Sequence, residues 1–251
     1  MQIDMINGVI GVMEELYNKL DVIDLEGIAD IEARVDYSCN THKLMTITSK
    51  KLKALYPYWH EMPRDPYLVG GYRQRCLSRF QYRNNKLYVL EPSVVYQSKK
   101  NNRVFGGLSR RFTPLKQELV FHNSFIALVK RFISHLPESP VDKVIWVHQI
   151  RINVSSALPG KPVPEGIHRD ERLYVGIVVV NKQGVSGEET QLFKSKDEAP
   201  IWQQTLAVNQ MLMFNDQLLY HNTTDFLTVA PQGGYRDIFI LALSELEQGI
   251  L

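Results

Sequence analysis

The second half of the chain is patterned as short apolar runs broken by turn residues. KVIWVHQIRINV (143–154), RLYVGIVVVNK (172–182) and GGYRDIFILALSEL (233–246) are rich in Val, Ile and Phe and predict strands. ETQLFKS is a shorter, half-polar strand candidate, and TLAVNQMLMFNDQLLYHN predicts strand, tight turn at Asn215–Asp216, strand. The first half reads differently. Ile6, Val9, Ile10, Met13 and Leu16 fall at helical spacing, DLEGIADIEARV and TITSKKLKALYPYW suggest helix or mixed structure, and 115–135 predicts a long amphipathic helix stopped by Pro137–Pro140. Between them, RDPYLVGGYRQRCLSRFQY turns to period two after Gly70 and Gly71, and NKLYVLEP and VVYQS suggest further short strands.

Many short strands between turns predict a mainly β protein with flanking helices, a sandwich or barrel. The expected organisation is one domain over 1–251. Residues 1–65 would form a mostly helical part packed on a β core of 66–246, with the 115–135 helix as its support. No repeat or low-complexity tract interrupts the chain.

Composition narrows the function classes only slightly. The chain has 251 residues, 44% hydrophobic and 22% charged, enough for a real core. Its net charge of +2 gives no reason to expect a nucleic-acid partner. Two cysteines, Cys39 and Cys76, argue against a disulfide framework, and Cys39 with His42 in DYSCNTH lacks the second half of a zinc site. The opening residues lack the pattern of a secretion signal and no apolar run spans a bilayer, so no membrane is expected and the expected compartment is the cytoplasm. P-loop, Rossmann, HExxH and GxSxG patterns are all missing.

The chemistry concentrates in EGIHRDE (165–171), where a loop runs into an apolar strand. On extended backbone, His168 and Asp170 share a face, so one metal ion can meet both side chains. His221 follows about fifty residues later on a predicted strand. Two imidazoles and one carboxylate form the facial set that holds Fe(II) and leaves coordination positions open. Arg236 begins the last apolar strand, where a buried guanidinium requires an anion. That anion is either a ligand carboxylate or an Asp or Glu of the chain.

His168, Asp170, His221 and Arg236, with YRDIF, resemble the Fe(II)/2-oxoglutarate-dependent dioxygenases. YRQRCLSRF (72–80), YQSK (96–99), GGLSRRF (106–112) and HQIRINV (148–154) are similar, in the same order, to segments of the bacterial group that includes L-isoleucine 4-hydroxylase and related free-amino-acid hydroxylases. The resemblance covers roughly residues 65–245. It implies a double-stranded β-helix, the jelly-roll or cupin-like core. It implies Fe(II) held by His168, Asp170 and His221, with 2-oxoglutarate and O2 as co-substrates and Arg236 on the distal carboxylate of 2-oxoglutarate. It implies hydroxylation of an aliphatic carbon of a free L-amino acid, coupled to conversion of 2-oxoglutarate to succinate and CO2. Halogenating relatives replace the carboxylate with a small residue, so Asp170 favours hydroxylation.

Gln149 and Arg151 share one face of the strand before the His-x-Asp loop and are expected near the co-substrate. Arg73, Arg75 and Arg110 are candidates for the substrate carboxylate. Rival readings are an oxygenase of the same superfamily acting on a peptide, protein or nucleic acid, and a non-catalytic cupin-like metal-binding protein in stress or biofilm signalling. Nucleic-acid demethylases typically carry a second arginine six residues after the first, and here that position is Ala242.

Overall fold

The computed structural model describes residues 21–48 and 50–246. The helix expected over residues 5–20 lies outside the described residues. Fourteen strands are present among those described: β1 (Val22–Asp24), β2 (Ala33–Ser38), β3 (His42–Ile47), β4 (Arg73–Arg83), β5 (Lys86–Leu90), β6 (Lys143–Val154), β7 (Tyr174–Gln183), β8 (Val185–Gly187), β9 (Glu189–Phe193), β10 (Trp202–Thr205), β11 (Gln210–Asn215), β12 (Tyr220–Thr223), β13 (Phe226–Thr228) and β14 (Gly234–Glu245). A 3-10 helix spans Lys50–Trp59, and two α-helices follow, α1 (Gln117–Val120) and α2 (Asn123–Ser134).

Nine strands form one sheet in the order β1-β5-β4-β6-β14-β7-β11-β3-β2. β10-β9-β12 form a second sheet and β13-β8 a third. Every pairing between named strands is antiparallel. A large antiparallel sheet facing a small one is the jelly-roll arrangement expected from the sequence.

The large sheet is buried on both faces, and each face has its own core. On the outer face, Phe80, Ile145, Val147, Val178, Met211, Phe239 and Leu241 pack against α2 and the 3-10 helix. On the inner face, Trp146, Ile150, Ile152, Ile177, Leu212, Phe214 and Ile238 meet Leu192 and Phe226 from the smaller sheets. Strands covered on both faces read as continuous apolar runs. That is why 143–154, 172–182 and 233–246 are easy to find, while their inward-facing residues are not.

The expectation that 1–65 is mostly helical is corrected for the described part. Residues 22–24, 33–38 and 42–47 are strands that extend both edges of the large sheet, and only the 3-10 segment is helical. β2 carries the polar stretch ARVDYS on the outermost edge with almost no buried residue, so no hydrophobic period marks it. The long helix expected over 115–135 is interrupted between α1 and α2. His122 adopts an extended conformation there, and its Nδ1 accepts a hydrogen bond from the Ser124 amide, capping the second helix. VVYQS forms only an isolated bridge at Val95. β10 was not foreseen, because WQQT has alternation too short to register.

α2 rests on the sheet through Phe132, whose ring lies where a side chain on Gly176 would be, 3.0 Å from the position of a Cβ. Trp59 ties the 3-10 helix to the same face by donating its indole N–H to the Ile150 carbonyl at 3.1 Å and stacking edge-on against Phe239. Phe132 is fully buried. Phe132→Ala is expected to lower the unfolding free energy by about 3–5 kcal/mol, read from a urea transition; a loss below about 1 kcal/mol would show that α2 does not anchor this face.

Candidate metal centre and pocket

The inner face of the large sheet opens into a pocket, and the pairing register decides which residues reach it. On β6 the inward residues are His148, Ile150 and Ile152; on β14 they are Arg236, Ile238, Ile240 and Ala242; on β4 they are Arg73 and Arg75. His168, Asp170 and His221 stand at one end of the same pocket.

The two histidines are fixed by backbone, not by side-chain packing alone. His168 and His221 form an isolated antiparallel bridge, each amide donating to the other's carbonyl, at 3.1 and 2.9 Å. This sets the imidazole centroids 4.2 Å apart. Asp170, two residues on, turns one carboxylate oxygen to His168 Nε2 and the other to His221 Nε2, both at 3.6 Å. One ligand atom from each of the three residues lies within 4.8 Å of the others.

The far sides of both rings are also held. His168 Nδ1 lies 3.0 Å from the Gly166 carbonyl, which can only accept, so that nitrogen carries a proton and Nε2 is the atom left to bind a metal ion. His221 Nδ1 has no hydrogen-bond partner and faces the Asp216 carboxylate at 3.6 Å. Asp216 also accepts from the amides of Asp170 (3.1 Å) and Arg172 (2.9 Å), so one buried carboxylate positions two of the three donors. Two imidazoles and a carboxylate, with both outer ring nitrogens facing acceptors, fit a divalent iron ion.

The electrostatics agree with a site that holds a cation. Burial works against the Asp170 carboxylate, but the His168 hydrogen bond and the charges of His221 and His168 hold it well below the usual range. Burial likewise opposes a charge on His168, yet Asp170 and Glu165 outweigh it and raise its pKa to about 9. Burial, then the charge of His168, pushes His221 down to about 3. A proton on His168 facing Asp170 competes with a metal ion for the same donor atoms, so metal binding releases it.

Arg236 is 1% exposed, and its Nε and one terminal nitrogen have no hydrogen-bond partner. Among the described residues it forms no ion pair with the Asp or Glu partner allowed by the sequence. Glu188, the acid whose charge it feels, is bonded at 2.6 Å to Lys182. Burial lowers Arg236 to about 10, so it stays charged at neutral pH.

Of the other residues singled out from the sequence, Arg73, Arg75 and Arg110 line the pocket, while Gln149 and Arg151 do not. Gln149 and Arg151 sit on the outer face, a correction of one residue in strand parity. Gln149 donates to the Tyr58 carbonyl at 2.9 Å, and Arg151 makes a fork-like pair with Asp237 at 2.7 and 2.7 Å. Their neighbour His148 takes the inward place. Its Nδ1 accepts from Arg75 at 3.0–3.3 Å, and burial, then the Arg75 charge, holds it neutral. Arg73 is engaged with buried Asp65 at 2.8 Å. Arg75 and Arg110 lie over the rings of Phe112 and Phe105, and neither forms an ion pair among the described residues. Arg169, between the two ligands, lies 4.0 Å over the Tyr220 ring.

Sequence reasoning missed a polar strap over residues 97–110. Gln97 donates to Asp170 at 3.2 Å, and its carbonyl accepts from Arg110 (2.7 Å) and Asn102 (2.9 Å). Ser98 and Asn101 both bond Glu171. The spacing of these residues has no period, so only the fold could bring them to the loop at 165–171.

A family model described as 2OG-Fe dioxygenase matches residues 56–242. The chain belongs to the 2OG-Fe dioxygenase family. Members are oxidoreductases that use Fe(II), 2-oxoglutarate and O2. Among solved structures, this family member is similar to a bsmA homolog from Methylobium petroleophilum, with 28% identity and a TM-score of 0.66 over 78% of this chain and 81% of that one. IDO from Bacillus thuringiensis shares the fold at 19% identity and a TM-score of 0.68, over 82% of this chain and 95% of that one. The Fe(II)/α-ketoglutarate-dependent dioxygenase TqaL shares it at 17% identity and a TM-score of 0.55, over 80% and 77%. No curated protein sequence matches the chain. Among the described residues, no helix is long and apolar enough to cross a membrane.

Replacing the carboxylate that orients the donors tests the metal reading directly. Asp216→Ala is expected to weaken Fe(II) binding, titrated anaerobically by calorimetry, by about 10–100-fold while the fold persists. Unchanged affinity would show that the triad needs no such support.

Proposed function

We propose that the protein hydroxylates an aliphatic carbon of a free L-amino acid, isoleucine- or leucine-like or similarly small, while 2-oxoglutarate is decarboxylated to succinate and CO2. The observation that carries this reading is the charge of the pocket. Arg236 is buried with unpartnered N–H groups at one place, and Arg75 and Arg110 face the same cavity without ion-pair partners. Buried guanidiniums without anions are costly, so the pocket is built for anionic ligands. Two separate cationic stations suit two carboxylate-bearing molecules, a co-substrate and a substrate.

In this reading His168, Asp170 and His221 hold Fe(II), which when bound supplies activation of O2 for oxidation of a C–H bond. Arg236 receives the distal carboxylate of 2-oxoglutarate through parallel N–H donors. Arg75 and Arg110 hold the substrate carboxylate, their planes fixed by the rings beneath them. Ile150, Ile177 and Ile240 line the same pocket and present an apolar surface to an aliphatic side chain. Such a surface excludes water and keeps the reacting carbon in place. His148 is kept neutral beside Arg75, so its Nδ1 lone pair accepts from that guanidinium and helps to orient it.

The test has two readings. With Fe(II) and 2-oxoglutarate under anaerobic conditions, a visible charge-transfer band is expected, and Arg236→Ala should raise the 2-oxoglutarate concentration that half-forms it by about tenfold or more, since a hydrogen bond to a charged group contributes about 1.5–3 kcal/mol. In air, succinate release is expected to rise with one or more members of a panel of L-amino acids. A band with no stimulation by any amino acid would defeat the substrate class; a band of unchanged affinity in Arg236→Ala would defeat the role of that arginine.

A further inference from the structure

Glu165 lines the same pocket on the loop before His168, and the metal triad does not use it. Its Oε1 accepts from Asn102 Nδ2 at 3.1 Å, while its Oε2 is buried and has no hydrogen-bond partner. Oε1 lies 3.9 Å from His168 Nε2, so the carboxylate stands at the edge of the metal site. Arg73, Arg75, Arg110, Arg172 and Arg236 line the cavity with it, yet among the described residues it forms an ion pair with none of them. Arg73 is turned to Asp65, and Arg110 is turned to Gln97. Arg110 still feels the Glu165 charge more than that of any other acid, so the two groups lie close without touching. Asn102 holds both partners apart: its amide N–H groups reach Gln97 and Glu165, and Gln97 in turn restrains Arg110.

A buried carboxylate oxygen with no donor is costly, and a ligand donor would satisfy it. The chemistry that fits is a compact cation with several N–H bonds, placed next to a carboxylate that the arginines hold. An α-ammonium beside an α-carboxylate has that form. We propose that Glu165 is a specificity-determining residue whose Oε2 accepts a hydrogen bond from the substrate's α-ammonium group. This rests on the amino-acid reading above and adds to it a reason for discriminating amino acids from other small aliphatic acids.

The separation of Glu165 from the arginines is part of the device. If the acid and a guanidinium paired directly, each would cancel the other and neither would be open to substrate. The strap keeps opposite charges apart in a buried cavity, a costly arrangement that a zwitterion relieves at both ends.

Binding without turnover tests this. The protein loaded with Fe(II) and 2-oxoglutarate is kept anaerobic and titrated with L-isoleucine and with 3-methylpentanoate, which has the same carbon skeleton and lacks the amino group. The wild type is expected to bind L-isoleucine at least about tenfold more tightly, and Glu165→Gln to lose about tenfold or more for L-isoleucine with little change for 3-methylpentanoate. The charge-transfer band of the chelate should be the same in both proteins, showing the metal centre intact. Equal wild-type affinity for the two probes would overturn the role of Glu165 while leaving a small aliphatic acid as substrate. An unchanged preference in Glu165→Gln would overturn it too, as would equal loss for both probes with an altered band, which would make Glu165 a support of the metal loop. Binding of neither probe, nor of other L-amino acids, by the wild type would overturn the amino-acid reading and this inference with it.

Discussion

Two main-chain hydrogen bonds between His168 and His221 hold the site together. They join a loop that precedes β7 to β12, strands that belong to different sheets. Side chains can swing through several rotamers, whereas a paired backbone fixes both Cα positions and so limits each ring to a narrow arc. Asp170 and Asp216 then need only short reach to complete the arrangement. The rest of the molecule serves this join: the outer face of the large sheet is sealed by helix, and the inner face is left to carry polar groups at chosen positions.

How much could be read beforehand follows from this division. That His168, Asp170, His221 and Arg236 belong to one pocket was legible because each lies at the border of an apolar run, where a polar residue is conspicuous. The site-facing side of β6 was not legible. HQIRINV alternates polar and apolar residues in a way that suggested Gln149 and Arg151 looked inward, but both faces of that strand are buried. The outer polar residues are satisfied by Tyr58 and Asp237, contacts made by segments far away in sequence. Parity in such a strand depends on partners, and single-strand patterning does not contain them.

The described part of the N-terminal region failed for a related reason. β2 is an exposed edge strand with a polar composition, and β3 gains its identity by pairing with β11. Edge strands carry charge and polarity that weaken the hydrophobic signal. The strap at 97–110 is harder still. Its role depends on Asn102 and Gln97 meeting acids 63 and 73 residues away, and no local rule encodes such a meeting.

Gln97 illustrates what that strap does to the pocket. Its carbonyl oxygen accepts from Arg110 and Asn102 while its amide nitrogen donates to Asp170. A flipped amide would set N–H against N–H and oxygen against oxygen, so only one orientation is compatible with its neighbours. The side chain therefore acts as a polarity key between the cationic wall and the anionic metal loop. Displacing either wall perturbs the same amide, which makes the register of one a mechanical constraint on the other.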